Sequence, residues 1–333
     1  MRTSRLPRLF LALAGAGLVL AGLVGDPLEG EAQAKKKLAM IMPGPIQDAD
    51  FNAVGYVAIQ EVAKAYGIQV AHSESVAVAD AERVAREYIT SGHDIVAFHG
   101  GQYPTIMKKL AAQNPNVVFI QEASGRMADA PPNAWVMCRK FYQGFYVLGA
   151  LGAFATRTGR IGFVGGVRLP DVVGSANAVN QALKDYNPKA QLVYNVIGDF
   201  NDPVKARQTA EAQIAAGADV LLTFVNLGLY GVAEAAKSSS KPVLLSTLYT
   251  EKWDTAPKNM AVALVFDFAK PYREIVGKIL KGEKGGYYEM RPGSGIELSA
   301  MRNVPPGVAD KVRAVFKEVV AGKPLPEITD KAP

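Results

Sequence analysis

Cysteine is nearly absent. Cys138 stands alone among 333 residues, which excludes an intrachain disulfide framework and any four-cysteine zinc site. Histidine occurs three times, at positions 72, 93 and 99, too rarely for a histidine-rich metal centre. There is no P-loop, no H-E-x-x-H, no G-x-S-x-G and no C-x-x-C. The signatures of nucleotide hydrolysis, zinc proteolysis, serine hydrolysis and thiol exchange are therefore missing. GFVGG at 162–166 does not complete G-x-G-x-x-G and reads as a tight turn. No long basic run follows the three lysines at 35–37, although the net charge is +6. A nucleic-acid interface would need a clustered basic stripe, so that partner class is excluded, and the charge reads as a solvated surface. No cofactor and no metal are expected.

What is present is a core-forming composition. Apolar residues make up 49% and charged residues 20% of the chain, enough apolar material for a sizeable packed interior. The length corresponds to about two domains. Arg2, Arg5 and Arg8 precede an apolar run over 9–25, and Ala32-Gln33-Ala34 follows as an A-x-A site. This is the pattern of a cleavable secretory signal over 1–34. No cysteine lies at the cleavage zone and no paired arginines precede the run, so the expected product is a Sec-exported, periplasmic, soluble chain and not a lipoprotein. Cys138, within the apolar WVMC, reads as a buried structural thiol.

Short apolar strands alternate with amphipathic helices along the rest of the chain. Strands are expected at 37–42, 69–73, 95–99, 117–121 and 135–138, with helices at 51–66, 78–90, about 100–113 and 141–156. The series then restarts, with strands at 161–164, 192–197, 220–224, 243–246 and 261–266. Its helices are expected at 171–186, 203–216, 228–238, 270–281 and 308–321. Continuous apolar strands covered by helices argue for buried parallel sheets. Two such series argue for two doubly wound α/β lobes. The expected division is an N-terminal lobe at 35–155 with a return segment at about 265–300, a C-terminal lobe at 156–264 with about 301–325, and a tail at 326–333.

In open doubly wound sheets, ligands sit beyond the carboxyl ends of the strands. The residues there are the informative ones. Asp48, Phe51 and Asn52 follow the first strand, His99 the third and Glu122 the fourth. Phe200, Asn226, Thr247 and Asp267 hold corresponding places in the second series. Aromatic and polar groups converging on one edge suit a flat polar ligand. The competing reading is helix capping, since Asp50, Asp171 and Asp202 stand where N-caps belong. Asp202 before Pro203 is read as a cap. His99 and Glu122 suit either acid–base work or ligand hydrogen bonding, and the absence of a nucleophile favours the second.

These residues resemble a known family. Asp48-Ala49-Asp50-Phe51-Asn52 is similar to the D-x-[SG]-F-N signature of the Bmp (basic membrane protein) family of ABC-transporter substrate-binding proteins, which includes purine nucleoside receptors. The likeness continues through Tyr142-Gln143, Gly149-Ala150, TGRIGFVGG at 158–166, DFNDPVKA at 199–206 and AGADV at 216–220, in the same order along nearly all of the mature chain. The resemblance implies a type I periplasmic-binding fold, two lobes closing on a ligand about a hinge. It implies that Phe51 and Phe200 flank a purine-like ring, with Asp48 and Asn52 as polar partners. It further implies ABC permease subunits as partners, a monomeric binding protein and no enzymatic activity.

One stretch departs from the family pattern. The aspartate that usually binds ribose hydroxyls is missing from Leu245-Ser246-Thr247-Leu248-Tyr249, and Phe266-Asp267-Phe268 replaces an expected lysine or tryptophan. A purine base, a nucleoside-like ligand or another flat heterocycle all remain open as the ligand. A sensor subunit for a membrane receptor and a nucleoside hydrolase are the alternative roles, the latter lacking its carboxylate or metal cluster.

Overall fold

A computed structural model describes residues 36–325 and Pro333. The expected signal segment and most of the 326–333 tail lie outside the described residues. The first series comprises β1 (Lys37–Ile41), α1 (Phe51–Tyr66), β2 (Gln69–Ser73), α2 (Val78–Thr90), β3 (Ile95–Phe98), α3 (Pro104–Gln113), β4 (Val118–Ala123) and β5 (Ala134–Arg139). Next come α4 (Phe141–Ala155), β6 (Arg160–Gly165), α5 (Pro170–Tyr186), β7 (Gln191–Val196), α6 (Pro203–Ala215) and β8 (Val220–Phe224). The rest of the chain forms α7 (Gly228–Ser238), β9 (Leu244–Tyr249), β10 (Met260–Phe266), α8 (Ala269–Leu280), β11 (Gly286–Pro292), β12 (Gly295–Leu298) and α9 (Val308–Val320).

The described strands form one sheet in the order β2-β1-β3-β4-β5-β11-β12-β10-β9-β8-β6-β7. All pairings are parallel except β10 with β12. The apolar runs explain the placement. Strands β3, β4, β5 and β8 are buried at every residue, as continuous hydrophobic strands under helices on both faces must be. The edge strands β2 and β7 carry Gln69, His72, Gln191 and Asn195 and are only partly buried. Cys138 is fully buried within β5.

The chain passes between the two halves of the sheet at 139–141, 266–269 and 292–295. Helix α8 returns to pack on α1. Helix α4 packs on α5 and α9, so it sits with the second series, whereas the expected boundary at 155 placed it with the first. Its apolar residues run all round the helix, burying twelve of its fifteen positions. Such a helix needs partners on every side, and residue spacing alone does not say whose.

Strands β11 and β12 were not expected. Gly286-Tyr287-Tyr288-Glu289-Met290-Arg291-Pro292 has mixed polarity and is only half-buried, apart from Met290 and Pro292. It becomes a strand by pairing with β5, a partner about 150 residues earlier. Among the described residues, no helix is long and apolar enough to cross a membrane, and no cluster of metal-ligating side chains occurs.

Candidate ligand-binding site

A cleft with a cavity volume of about 130 Å³ opens at the carboxyl ends of the strands. The first half contributes Pro43 and Gly44 after β1, Phe51 and Asn52 at the start of α1, and Gly100, Gly101 and Gln102 after β3. Arg139 and Phe141 stand where the chain crosses. The second half adds Leu169, Asp171 and Val172 around the start of α5, Phe200 and Asn201 before α6, Phe224 and Asn226 after β8, and Tyr249 at the end of β9.

Of the residues singled out from the sequence, Phe51, Asn52, Phe200 and Asn226 line this cleft, and Asp48, His99, Glu122, Thr247 and Asp267 do not. Asp48 is fully buried and organises the loop instead. Its carboxylate accepts from the backbone N–H groups of Asp50, Asn52 and Ala53, from the Asn52 amide and from the Asn226 amide at 3.2 Å. It thus caps the first turn of α1 and ties that loop to the second half. Asp50, at the N-cap position, makes no capping bond and pairs with Lys252. Asp202 does cap its helix, accepting from Val204 and Lys205 N–H. Asp171 stands inside the first turn of α5 and its oxygen accepts from Arg139 Nη2 at 2.8 Å.

His99 and Glu122 lie behind the cleft wall. The His99 ring stacks on Phe51 at 4.0 Å between centroids and 15° between planes. One ring nitrogen faces the Phe51 carbonyl at 2.7 Å and the other faces Glu122. Both facing atoms are acceptors, so Nε2 donates to the carbonyl and the His99–Glu122 contact holds one shared proton. That pair is neutral overall wherever the proton sits. Tyr272 donates its hydroxyl to Glu122 at 2.8 Å, and the Arg139 guanidinium lies 3.4 Å away. Burial works to raise the Glu122 carboxyl, but His99, Arg139 and Tyr272 together hold it below its ordinary value.

Two glycines make room for this arrangement. A side chain at Gly55 would collide with the His99 ring, and one at Gly166 would collide with Phe200. Tyr249 takes a left-handed backbone conformation at φ 67°, as does Ala49 at φ 59°, a strain that folded proteins concentrate at functional sites. Ala49 lies in the loop before α1 and Tyr249 ends β9, and the two segments meet where the Thr250 hydroxyl donates to the Ala49 carbonyl at 3.4 Å.

Thr247 and Asp267 fall elsewhere for clear reasons. Thr247 is fully buried within β9, and Ser246 beside it bonds Thr223, so neither hydroxyl reaches the cleft; Tyr249 is the residue of that strand that does. Asp267 is exposed and caps the turn into α8 by accepting from Lys270 N–H. Phe266 and Phe268 on either side are buried in the core, and Asp267, in the turn between β10 and α8, is left at the surface. Sequence reasoning missed Arg139 and Asp171. The available signal was an arginine closing the otherwise apolar Ala134-Trp135-Val136-Met137-Cys138-Arg139, since an arginine on a buried strand needs a carboxylate partner.

Comparison with known proteins agrees with this architecture. The chain matches the Bmp family, described as ABC transporter substrate-binding protein PnrA-like, over residues 35–291. It is 24% identical over 312 residues to a purine-binding protein of Brucella abortus, covering 91% of this chain and 86% of that one. It is 22% identical to basic membrane protein A2 of Borrelia garinii, covering 82% and 77% of the two chains. Among solved structures, a solute-binding protein of an ABC transporter system from Conexibacter woesei superposes with a TM-score of 0.70 at 23% identity, over 88% of this chain and 99% of that one. One from Aeropyrum pernix K1 gives 0.76 at 15% identity, over 89% and 94%. The type I periplasmic-binding fold is thus shared, in a family of extracellular or periplasmic solute binders and not of enzymes. With the family match spanning most of its length, this chain belongs to the PnrA-like Bmp family of ABC-transporter substrate-binding proteins.

Proposed function

We propose that the protein captures a purine base or a closely similar flat heterocycle outside the cytoplasmic membrane and delivers it, as a monomer, to the permease of an ABC importer. The observation that carries this reading is the presence of Phe51 and Phe200, from opposite halves of the sheet, on the wall of one cleft. A ring stacked on an aromatic face gains about 1–3 kcal/mol. The amides of Asn52, Asn201, Asn226 and Gln102 on the same wall offer both donors and acceptors to the edge of such a ring. A relative is named a purine-binding protein, which supports the same ligand class.

The reading favours the base over its riboside. Among the described residues, Asp171 is the one carboxylate of the second half on the cleft wall, and Arg139 already occupies one of its oxygens. A ribose diol would compete with the base for the single oxygen that is left and would otherwise meet Phe224 and the ring of Tyr249. Titrating adenine, guanine and hypoxanthine beside their ribosides tests this directly. The bases are expected to bind at least as tightly as the ribosides. A riboside advantage of tenfold, about 1.4 kcal/mol, would establish a sugar subsite, and failure of every purine to bind would remove the ligand class.

A further inference from the structure

We infer that the buried Arg139–Asp171 pair makes the cleft selective for uncharged ligands carrying an N–H or O–H donor, with Asp171 supplying the acceptor and anionic ligands refused. The inference rests on the cleft being the ligand site and specifies what that site accepts. Arg139 closes β5 and Asp171 stands in the first turn of α5, so the pair joins the crossing segment to the second half. Their side chains are only 5% and 7% exposed. Among the described residues, they are the only charged side chains on the cleft wall.

The charges cancel. The guanidinium is held by Asp171 at 2.8 Å and faces Glu122 at 3.4 Å. Glu122 is neutralised by the proton it shares with His99, which leaves Arg139 and Asp171 as one cation and one anion. A carboxylate or phosphate entering the cleft would lose its water, meet the Asp171 carboxylate and find no cation in surplus. A neutral donor meets the opposite situation. Asp171 Oδ2 accepts from Arg139, Oδ1 has no partner within 3.5 Å although the Ser124 hydroxyl stands beside the carboxylate, and Arg139 Nε is likewise unpartnered, so the pair offers a neutral ligand both an acceptor and a donor, a carboxylate having about four lone-pair sites. The remaining polar side chains of the wall are the amides of Asn52, Gln102, Asn201 and Asn226 and the Tyr249 hydroxyl, which match a neutral polar ligand and supply no positive charge to hold an anion.

Asp171→Asn isolates the effect, because it keeps the shape of the side chain while leaving the guanidinium without its counter-charge. Calorimetry on the wild-type protein and this variant would use two matched pairs, hypoxanthine with purine-6-carboxylate and nicotinamide with nicotinate. The wild-type protein is expected to favour the neutral member of whichever pair it binds by at least tenfold. Asp171→Asn is expected to narrow that preference at least tenfold, the anion gaining affinity. A wild-type preference for an anion, or an unchanged preference in the variant, overturns the inference. Selectivity for nicotinamide over nicotinate without any purine binding would retire the nucleobase reading alone. Purine binding with no discrimination by charge would retire this inference alone. Native mass spectrometry of the wild-type protein covers the case of a variant that does not fold: a co-purifying neutral compound supports the inference and a co-purifying anion refutes it.

Discussion

Phe51 is held in place by its neighbours, as the proposed stacking role requires. One face of its ring is covered by His99 at 4.0 Å, its flank meets the edge of Phe268 at 5.7 Å, and the Arg139 guanidinium lies 5.4 Å from its centre. The ring is thereby fixed in orientation, and fixing a contact surface in advance lowers the entropy lost on binding. Phe200 is set differently, held over Gly166 and tilted against Phe224 at 6.3 Å. Both rings are only partly buried, so truncation removes contact with the ligand more than it opens the core. Phe51→Ala and Phe200→Ala are each expected to weaken binding by about 1–3 kcal/mol. Calorimetry with the preferred base and urea denaturation would separate the two effects. Variants that bind normally, or that lose stability and affinity together, would show that the rings belong to the core.

The start of α1 depends on one carboxylate. Helix N-termini leave N–H groups without partners, and in α1 these are met by Asp48, two residues ahead of the N-cap position, which takes the N–H groups of Asn52 and Ala53. The same carboxylate fixes the Asn52 amide, which lines the cleft, and accepts from Asn226 across it. Asp48→Ala would strip several buried donors of their acceptor at once. The expected loss is on the order of 3 kcal/mol of stability, read as a lowered urea midpoint, together with weakened ligand binding as Asn52 is released. A variant with wild-type stability would mean that the loop finds other acceptors.

Across the whole molecule, the two halves are linked through Asp50 and Lys252, both nearly inaccessible. Burial drives the Asp50 carboxyl from 3.8 up to about 8, against the opposing pull of Lys252. Between those values the folded chain keeps a proton on Asp50 that the unfolded chain has released. The unfolded state then binds fewer protons, so this group makes stability fall as pH rises from about 4 to about 8 and level off above that. Urea midpoints of the wild-type protein and Asp50→Asn, compared from about pH 5 to about pH 9, would measure it. The wild-type midpoint is expected to decline relative to the variant up to about pH 8. Parallel curves for the two proteins would show that Asp50 stays ionised and paired throughout.

Local pattern was enough to show the alternation of strands and helices, the parallel buried sheet and the aromatic positions 51 and 200, because these follow from apolar runs, short-range periodicity and a linear motif. The Asp202 cap was legible for the same reason, since a cap and the N–H groups it serves are neighbours in sequence. Partnership was not legible. Whether Asp171 caps its helix or neutralises an arginine depends on Arg139, 32 residues earlier. Whether Glu122 and His99 face ligand or stand behind Phe51 depends on Tyr272, 150 residues beyond Glu122. Strand β11 exists because β5 lies beside it, and α4 joins the second half because α5 and α9 cover it. Burial and charge pairing arise between segments distant in the chain, so composition and spacing determined the layers and the strand-end edge where the cleft opens, while the tertiary structure alone decided which polar groups line it.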